Sequence, residues 1–306
     1  MPRLSFTTLD VFTTTRYLGN PLAVVQIPAR QDVSTEQMQT VAREFNLSET
    51  IFLHERSSGD DETPEWRVRI FLTNAEVPFA GHPTIGASCF ALGTLAQGAR
   101  KGRLICNAGP IDVDYADGAA KASIPHNYHR HTQNILGDSD IYALLPSLQT
   151  AGKKPLSIDV LSPVKGMNFI CIELADLETL GQVGLPGTEP TAPLDNEWNL
   201  GFFGLFPYVI TEQPSSEQGV VKVRTRMLMG SLEDAATGSG SCGLCAYLAI
   251  RLKLGRTTTF ELTQGVEMGR QSDIGVVLTL NEAMDAVEGV EMSGSAVEVM
   301  EGTIEV

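Results

Sequence analysis

The 306 residues include 42% hydrophobic and 19% charged side chains, ordinary globular usage that excludes a disordered chain. That length suits one large domain or two of about 150 residues. Lys and Arg number 22 against 37 Asp and Glu, a formal charge of −15, which repels phosphate backbones and anionic lipid and argues against nucleic acid or membrane as partners. A small anionic ligand would have to be held by local donors. The five cysteines, Cys89, Cys106, Cys171, Cys242 and Cys245, are an odd set in a chain whose first residues lack a signal-like apolar core. Reduced thiols in a cytoplasmic protein are expected. The longest clean apolar run, Leu244 to Ile250, is too short to span a bilayer.

In chain order, Leu9–Phe12 and Leu22–Val25 read as strands around the turn Gly19-Asn20-Pro21. Ser34-Thr35-Glu36-Gln37 is a capping box, and Met38, Val41 and Phe45 fall on one face of the helix it starts, which ends at Asn46. Thr50–Leu53 reads as a strand, Ser57–Glu65 as a loop, and Trp66–Phe71 as a strand with Trp66, Val68 and Ile70 on one face. Many short strands with few helices predict an α+β layout of curled sheets.

An internal repeat organises the remainder. Arg67–Phe71 superposes on Arg224–Leu228, and without a gap Glu76 falls on Glu233, Gly81 on Gly238 and Gly86 on Gly243. Each half reads strand, acid-bearing loop, glycine turn, then an apolar helix, Thr84–Leu92 in one and Ser241–Leu252 in the other. Two pseudo-symmetric domains are expected, with a site in the cleft between them. Between the halves, Pro125 to Pro163 reads as a crossover, and its cluster His126, His129 and His131 as solvated linker rather than metal site, because the spacing suits neither a helix nor a strand face.

The turns Ala80–Gly86 and Ala236–Ser241 open the two helices, where free backbone N–H groups can hold a carboxylate; ordinary capping by Ser239 or Ser241 is the alternative. His82, Asp234 and Ser239 lie near these turns. Glu49, between a helix and a strand, is either a surface acid or, in an apolar cleft, a group with raised pKa that takes and returns a proton near neutrality. Cys242 and Cys245 sit inside an apolar helical run and read as packing thiols rather than a redox pair.

Several stretches together resemble the phenazine-biosynthesis PhzF-like proteins, which share the diaminopimelate epimerase fold. They are Leu9–Thr13, Gly19–Val25, Met38–Thr50, Pro78–Gly86, Glu233-Asp234 with Ala236–Ser239, and Gln264–Arg270, in the family's order. The resemblance implies two curled sheets, each around a central helix, covering 1–124 plus 290–306 and 125–289. It also implies a homodimer that needs no cofactor or metal. By position, Glu49 becomes a proton shuttle acting on a small cyclic amino or hydroxy carboxylic acid. His82 and Asp234 would hold its polar substituents, and Gly81, Gly238 and Ser239 its carboxylate. Ala235 stands where the family usually has Pro, and Ala80 and Ala235-Ala236 replace the paired cysteines of the epimerases, so thiol-based racemisation is not expected. A two-base epimerase using Asp234, and a silent ligand binder on the same fold, remain as alternatives.

Overall fold

The structure, a computed structural model, describes residues 3–56, 63–133, 136–198, 201–213 and 219–306, so the expected loop at 57–65 falls mostly outside it. The chain divides into two compact units, Met1–Ile124 with Glu291–Val306, and Pro125–Val290.

In the first unit the strands are β1 (Arg3–Val11), β2 (Asn20–Ile27), β3 (Thr50–His54), β4 (Glu65–Phe71), β5 (Glu76–Val77), β6 (Lys101–Cys106), β7 (Gly109–Ala116) and β8 (Ala119–Ser123). Pairing runs β1–β2–β3–β4–β6–β7–β8. The C-terminal strand, Val287–Glu305, then pairs with both β8 and β1 and closes the sheet into an eight-stranded barrel. Two of the pairs, β2 with β3 and β4 with β6, are parallel and require crossovers.

Helix α1 (Thr35–Phe45) makes the first crossover. Its capping box is formed by Ser34 and Gln37, and it stops at Asn46 in the left-handed region, as the sequence pattern anticipates. Met38, Val41 and Ala42 pack on Phe52, Phe71 and Val25, so the helix covers the sheet.

The second crossover carries α2 (Gly81–Ser88), extended by wider π-helical turns over Cys89–Leu95. Every residue of α2 is buried, as suits a segment without Asp, Glu, Lys or Arg. A Cβ on Gly86 would meet Leu22 Cδ2 at 2.5 Å and Val11 Cγ2 at 2.7 Å, so glycine there lets the helix approach β1 and β2 closely.

The second unit repeats this grammar with β9 (His129–His131), β10 (Ser157–Val164), β11 (Met167–Glu173), β12 (Phe202–Glu212), β13 (Val220–Thr225), β14 (Met227–Met229), β15 (Leu232–Asp234), β16 (Thr257–Gln264) and β17 (Ser272–Leu280). β11 and β12, and β13 and β16, are its parallel pairs. The crossovers are α5 (Leu177–Gly181) and α6 (Gly238–Leu252), the latter almost wholly buried. Two short helices, α3 (Asp138–Leu144) and α4 (Pro146–Thr150), add Ile141, Leu145 and Leu148 to the core around Ile170, Ile172 and Leu205. The segment expected to be a crossover linker is therefore part of this unit's own fold, and His131 is 7% exposed within a strand paired to β10.

The duplication is also chemical. Arg69 holds Glu76 through two hydrogen bonds of 2.8 and 2.6 Å, and the repeat-equivalent Arg226 holds Glu233 through two of 2.8 and 2.7 Å. Each arginine also reaches the first crossover helix of its unit: Arg69 donates to Thr35 Oγ1, and Arg226 to the carbonyls of Leu180 and Val183. The sequence repeat at these positions thus encodes a strut between the sheet and the turn preceding each central helix. Among the described residues no helix is long and apolar enough to cross a membrane.

Candidate active site

In the first unit, Glu49 and His82 come together although 33 positions separate them. Glu49 follows the end of α1 and precedes β3, while His82 is the second residue of α2, turned into the interior at 4% exposure. His82 Nδ1 lies 3.0 Å from Glu49 Oε2, and Nε2 lies 3.2 Å from the carbonyl oxygen of Asn20, the first residue of β2. A carbonyl only accepts, so Nε2 carries a hydrogen and the other ring nitrogen faces the carboxylate. A single proton is therefore shared between Nδ1 and Oε2: imidazolium beside carboxylate, or neutral imidazole beside carboxylic acid.

Burial by itself would push the Glu49 carboxyl up. The hydrogen bond and charge of His82, with a hydrogen bond from Ser48, outweigh it and hold Glu49 below the ordinary glutamate value. This corrects the expectation of a raised pKa, which assumed an apolar surround without a cationic partner. The Glu49 side chain stays 18% exposed, so solvent or a ligand can reach it. His82 has both ring nitrogens engaged by protein, so here it serves Glu49 rather than standing open to a substrate.

In the second unit, Asp234 ends β15 and Gly238 begins α6, separated by a buried turn of Ala235, Ala236 and Thr237. Thr237 Oγ1 donates to Asp234 Oδ2 at 2.6 Å. Ser239 is half-buried in the first turn of α6. Both central helices start three residues earlier than their apolar patterns suggested, at Gly81 and Gly238, so the glycine turns are themselves the first helical turns. Ala80 and Thr237 occupy the cap positions, and neither helix has a side-chain cap bond. Capping by Ser239 or Ser241 is thereby ruled out, and among the described residues no capping side chain takes up the N–H groups of either first turn.

The histidine segment gives a cluster the sequence did not show. His129, His131 and Asp195 present donor atoms within 4.8 Å of one another. They do not suit a metal. His131 Nδ1 accepts the Asp195 N–H at 3.0 Å, so Nε2 carries the hydrogen and donates to Ser162 Oγ at 2.9 Å, leaving no lone pair. Burial, then neighbouring His129, lowers the His131 pKa despite Asp195, which favours that neutral form. The Asp195 carboxylate is filled by His129 and by the N–H groups of Thr132 and Gln133. The cluster is a structural lock. All five cysteines are buried and unpaired, and burial pushes the Cys242 thiol up to about 12 and Cys245 well above the ordinary value, so both pack rather than react.

Residues 9–302 match the model of the family described as phenazine biosynthesis-like protein. The chain belongs to the PhzF-like family. A Mesorhizobium japonicum relative named as an uncharacterized isomerase is 33% identical, with 96% of each chain covered. The trans-2,3-dihydro-3-hydroxyanthranilate isomerase of Pseudomonas aeruginosa is 28% identical over 97% of this chain and 98% of its own. The crystal structure of a Bacillus anthracis PhzF-family protein superposes with a TM-score of 0.75 over 100% of both chains at 18% identity, which establishes the shared fold. That fold is the α+β, diaminopimelate epimerase-like architecture expected from the PhzF-like stretches. Sequence reasoning missed three groups that bond the candidate site residues: the Asn20 carbonyl on His82, the Thr237 hydroxyl on Asp234 Oδ2, and the Gln264 amide on the Asp234 carbonyl. A backbone carbonyl leaves no trace in sequence, but Thr237 and Gln264 lie inside stretches that carry the family resemblance.

Proposed function

We propose that this protein is a cofactor-independent isomerase that moves a proton on a small cyclic amino or hydroxy carboxylic acid, with Glu49 as the acid/base group. The Glu49–His82–Asn20 arrangement supports this most directly. Its lowered pKa makes Glu49 a carboxylate at neutrality, ready to accept a proton. Once protonated, it is a stronger acid than an ordinary glutamic acid and returns the proton readily. Because the base is weak, the substrate C–H must be acidified by adjacent unsaturation. The proton leaves that carbon for a Glu49 oxygen, the double bond shifts, and the same oxygen delivers a proton to the carbon at the far end of the shifted system. No atoms are gained or lost.

His82 compensates charge as Glu49 cycles, and the Asn20 carbonyl keeps its ring in one orientation. By the sequence resemblance, Asp234 binds a polar substituent, and Gly81, Gly238 and Ser239 supply donors for the carboxylate. The activity of the Pseudomonas aeruginosa relative makes trans-2,3-dihydro-3-hydroxyanthranilate the first acid to try. Turnover followed by proton NMR should survive EDTA, and Glu49→Gln should lower it by about 10²–10⁴ or more, since an amide cannot cycle a proton. Near-normal turnover by Glu49→Gln would remove Glu49 from the mechanism.

A further inference from the structure

We propose that Gln264 and Thr237 form a positioning relay that fixes the Asp234 carboxylate, an inference that rests on the isomerase reading for the use Asp234 is put to. Gln264, the last residue of β16, is fully buried at 0% exposure beneath the turn from Asp234 to Gly238. Its Oε1 accepts the Thr237 N–H at 3.1 Å, and its Nε2 donates to the Asp234 carbonyl at 2.9 Å and to Thr237 Oγ1 at 3.0 Å. Turning the amide over would set N–H against N–H and carbonyl against carbonyl, so its orientation is determined by its partners. The Thr237 hydroxyl receives one hydrogen from Gln264 and gives its own to Asp234 Oδ2 at 2.6 Å. A carboxylate only accepts, so the order Gln264, Thr237, Asp234 has one direction.

The neighbouring glycine serves the same turn by proximity. Gly265 has φ +74°, and a Cβ there would lie 2.7 Å from the Ala235 carbonyl oxygen. The end of β16 is thus pressed against the turn that Gln264 bonds.

The internal duplication separates this relay from the shared fold. Val77 pairs with Ile70 as Asp234 pairs with Met227, so Val77 stands at the aspartate's place. Ala80 caps α2 where Thr237 caps α6. Arg67 pairs with Ile105 as Arg224 pairs with Thr263, which puts Cys106 at the place of Gln264. Where the acid is absent, both supporting residues are absent too. A device needed only to build the barrel and its helix would recur in both units; this one accompanies Asp234.

The test uses the full chain and two readouts. With carboxyl-¹³C-labelled aspartate, Thr237→Val should raise the Asp234 titration midpoint by about one pH unit, because a donor to the ionised form is lost, and Thr237→Ser should restore it. With trans-2,3-dihydro-3-hydroxyanthranilate, Thr237→Val should raise KM about tenfold or more while kcat changes less, and Thr237→Ser should again restore it. An unchanged midpoint in Thr237→Val, or a shift that serine fails to reverse, overturns the relay whatever the activity. Absence of turnover by the unaltered protein with the acids tried would count against the isomerase reading alone, since the titration needs no substrate.

Discussion

Gly86 and Gly243 occupy the same place in the two repeats, in helices whose first residues, Gly81 and Gly238, are also equivalent, yet their surroundings predict opposite responses to alanine. In either helix, replacing glycine by alanine gains about 0.5–1 kcal/mol from the reduced freedom of the unfolded chain. At Gly243 nothing opposes this gain: the nearest atom to the new Cβ is Pro163 Cδ at 3.4 Å, ordinary contact. At Gly86 the new carbon would lie 2.5 Å from Leu22 Cδ2 and 2.7 Å from Val11 Cγ2. Both neighbours are 0% exposed, with no room to retreat. Overpacking of this kind typically costs about 1–3 kcal/mol, which exceeds the gain. Gly86→Ala should therefore destabilise by roughly 0.5–2 kcal/mol and Gly243→Ala stabilise by about 0.5–1 kcal/mol. Urea unfolding followed by circular dichroism would show the midpoint moving down for the first and up for the second with unchanged slopes. A higher midpoint for Gly86→Ala, or a lower one for Gly243→Ala, would refute the packing argument.

Other expectations can be checked alongside. Arg226 and Glu233 are 7% and 11% exposed, so Arg226→Leu strands a buried carboxylate and uncaps two carbonyls, and should cost about 3–5 kcal/mol in urea unfolding. Arg69→Leu should cost less, because Glu76 is 21% exposed and keeps a hydrogen bond from Asn107. Because the folded pKa of Glu49 lies below its ordinary value of 4.5, its pairing with His82 stabilises the fold above that pH and is lost as pH falls through the folded value. Below about pH 4.5 the unaltered protein should therefore lose stability faster than Glu49→Gln, and parallel acid limbs in melting experiments would contradict this. With all five cysteines buried, Ellman's reagent should find no reactive thiol in the native protein near neutral pH and all five after unfolding; rapid labelling of Cys242 or Cys245 in the native state would reopen a redox role.

Local rules and the repeat carried much of this structure. The capping box at Ser34 and Gln37, the left-handed stop at Asn46 and the alternation of Trp66, Val68 and Ile70 depend on neighbours three or four residues away, or on a period of two. Such signals survive in a single sequence. The repeat also marked Arg69, Arg226, Glu76 and Glu233, though not that they form matching struts. The glycine turns misled by three residues, because helix propensity places a start after Gly81 or Gly238. Tertiary packing instead stabilises small, uncapped residues in the first buried turn.

By itself, then, the sequence determined the first four strands, helix α1, the two central helices and the duplication, and it pointed to Glu49, His82 and Asp234 as the polar groups to watch. Tertiary structure decided what each of them touches. It set His82 against the Asn20 carbonyl and thereby assigned its hydrogen, brought the Asp195 N–H to His131 and closed the lone pair of its ring, and laid Gln264 beneath Thr237. These contacts join residues 27 to 64 positions apart, and all three involve a backbone group that almost every residue possesses. Such a partner is selected by where the chain is folded, not by which side chain it carries, so no reading of residue types alone could have found it.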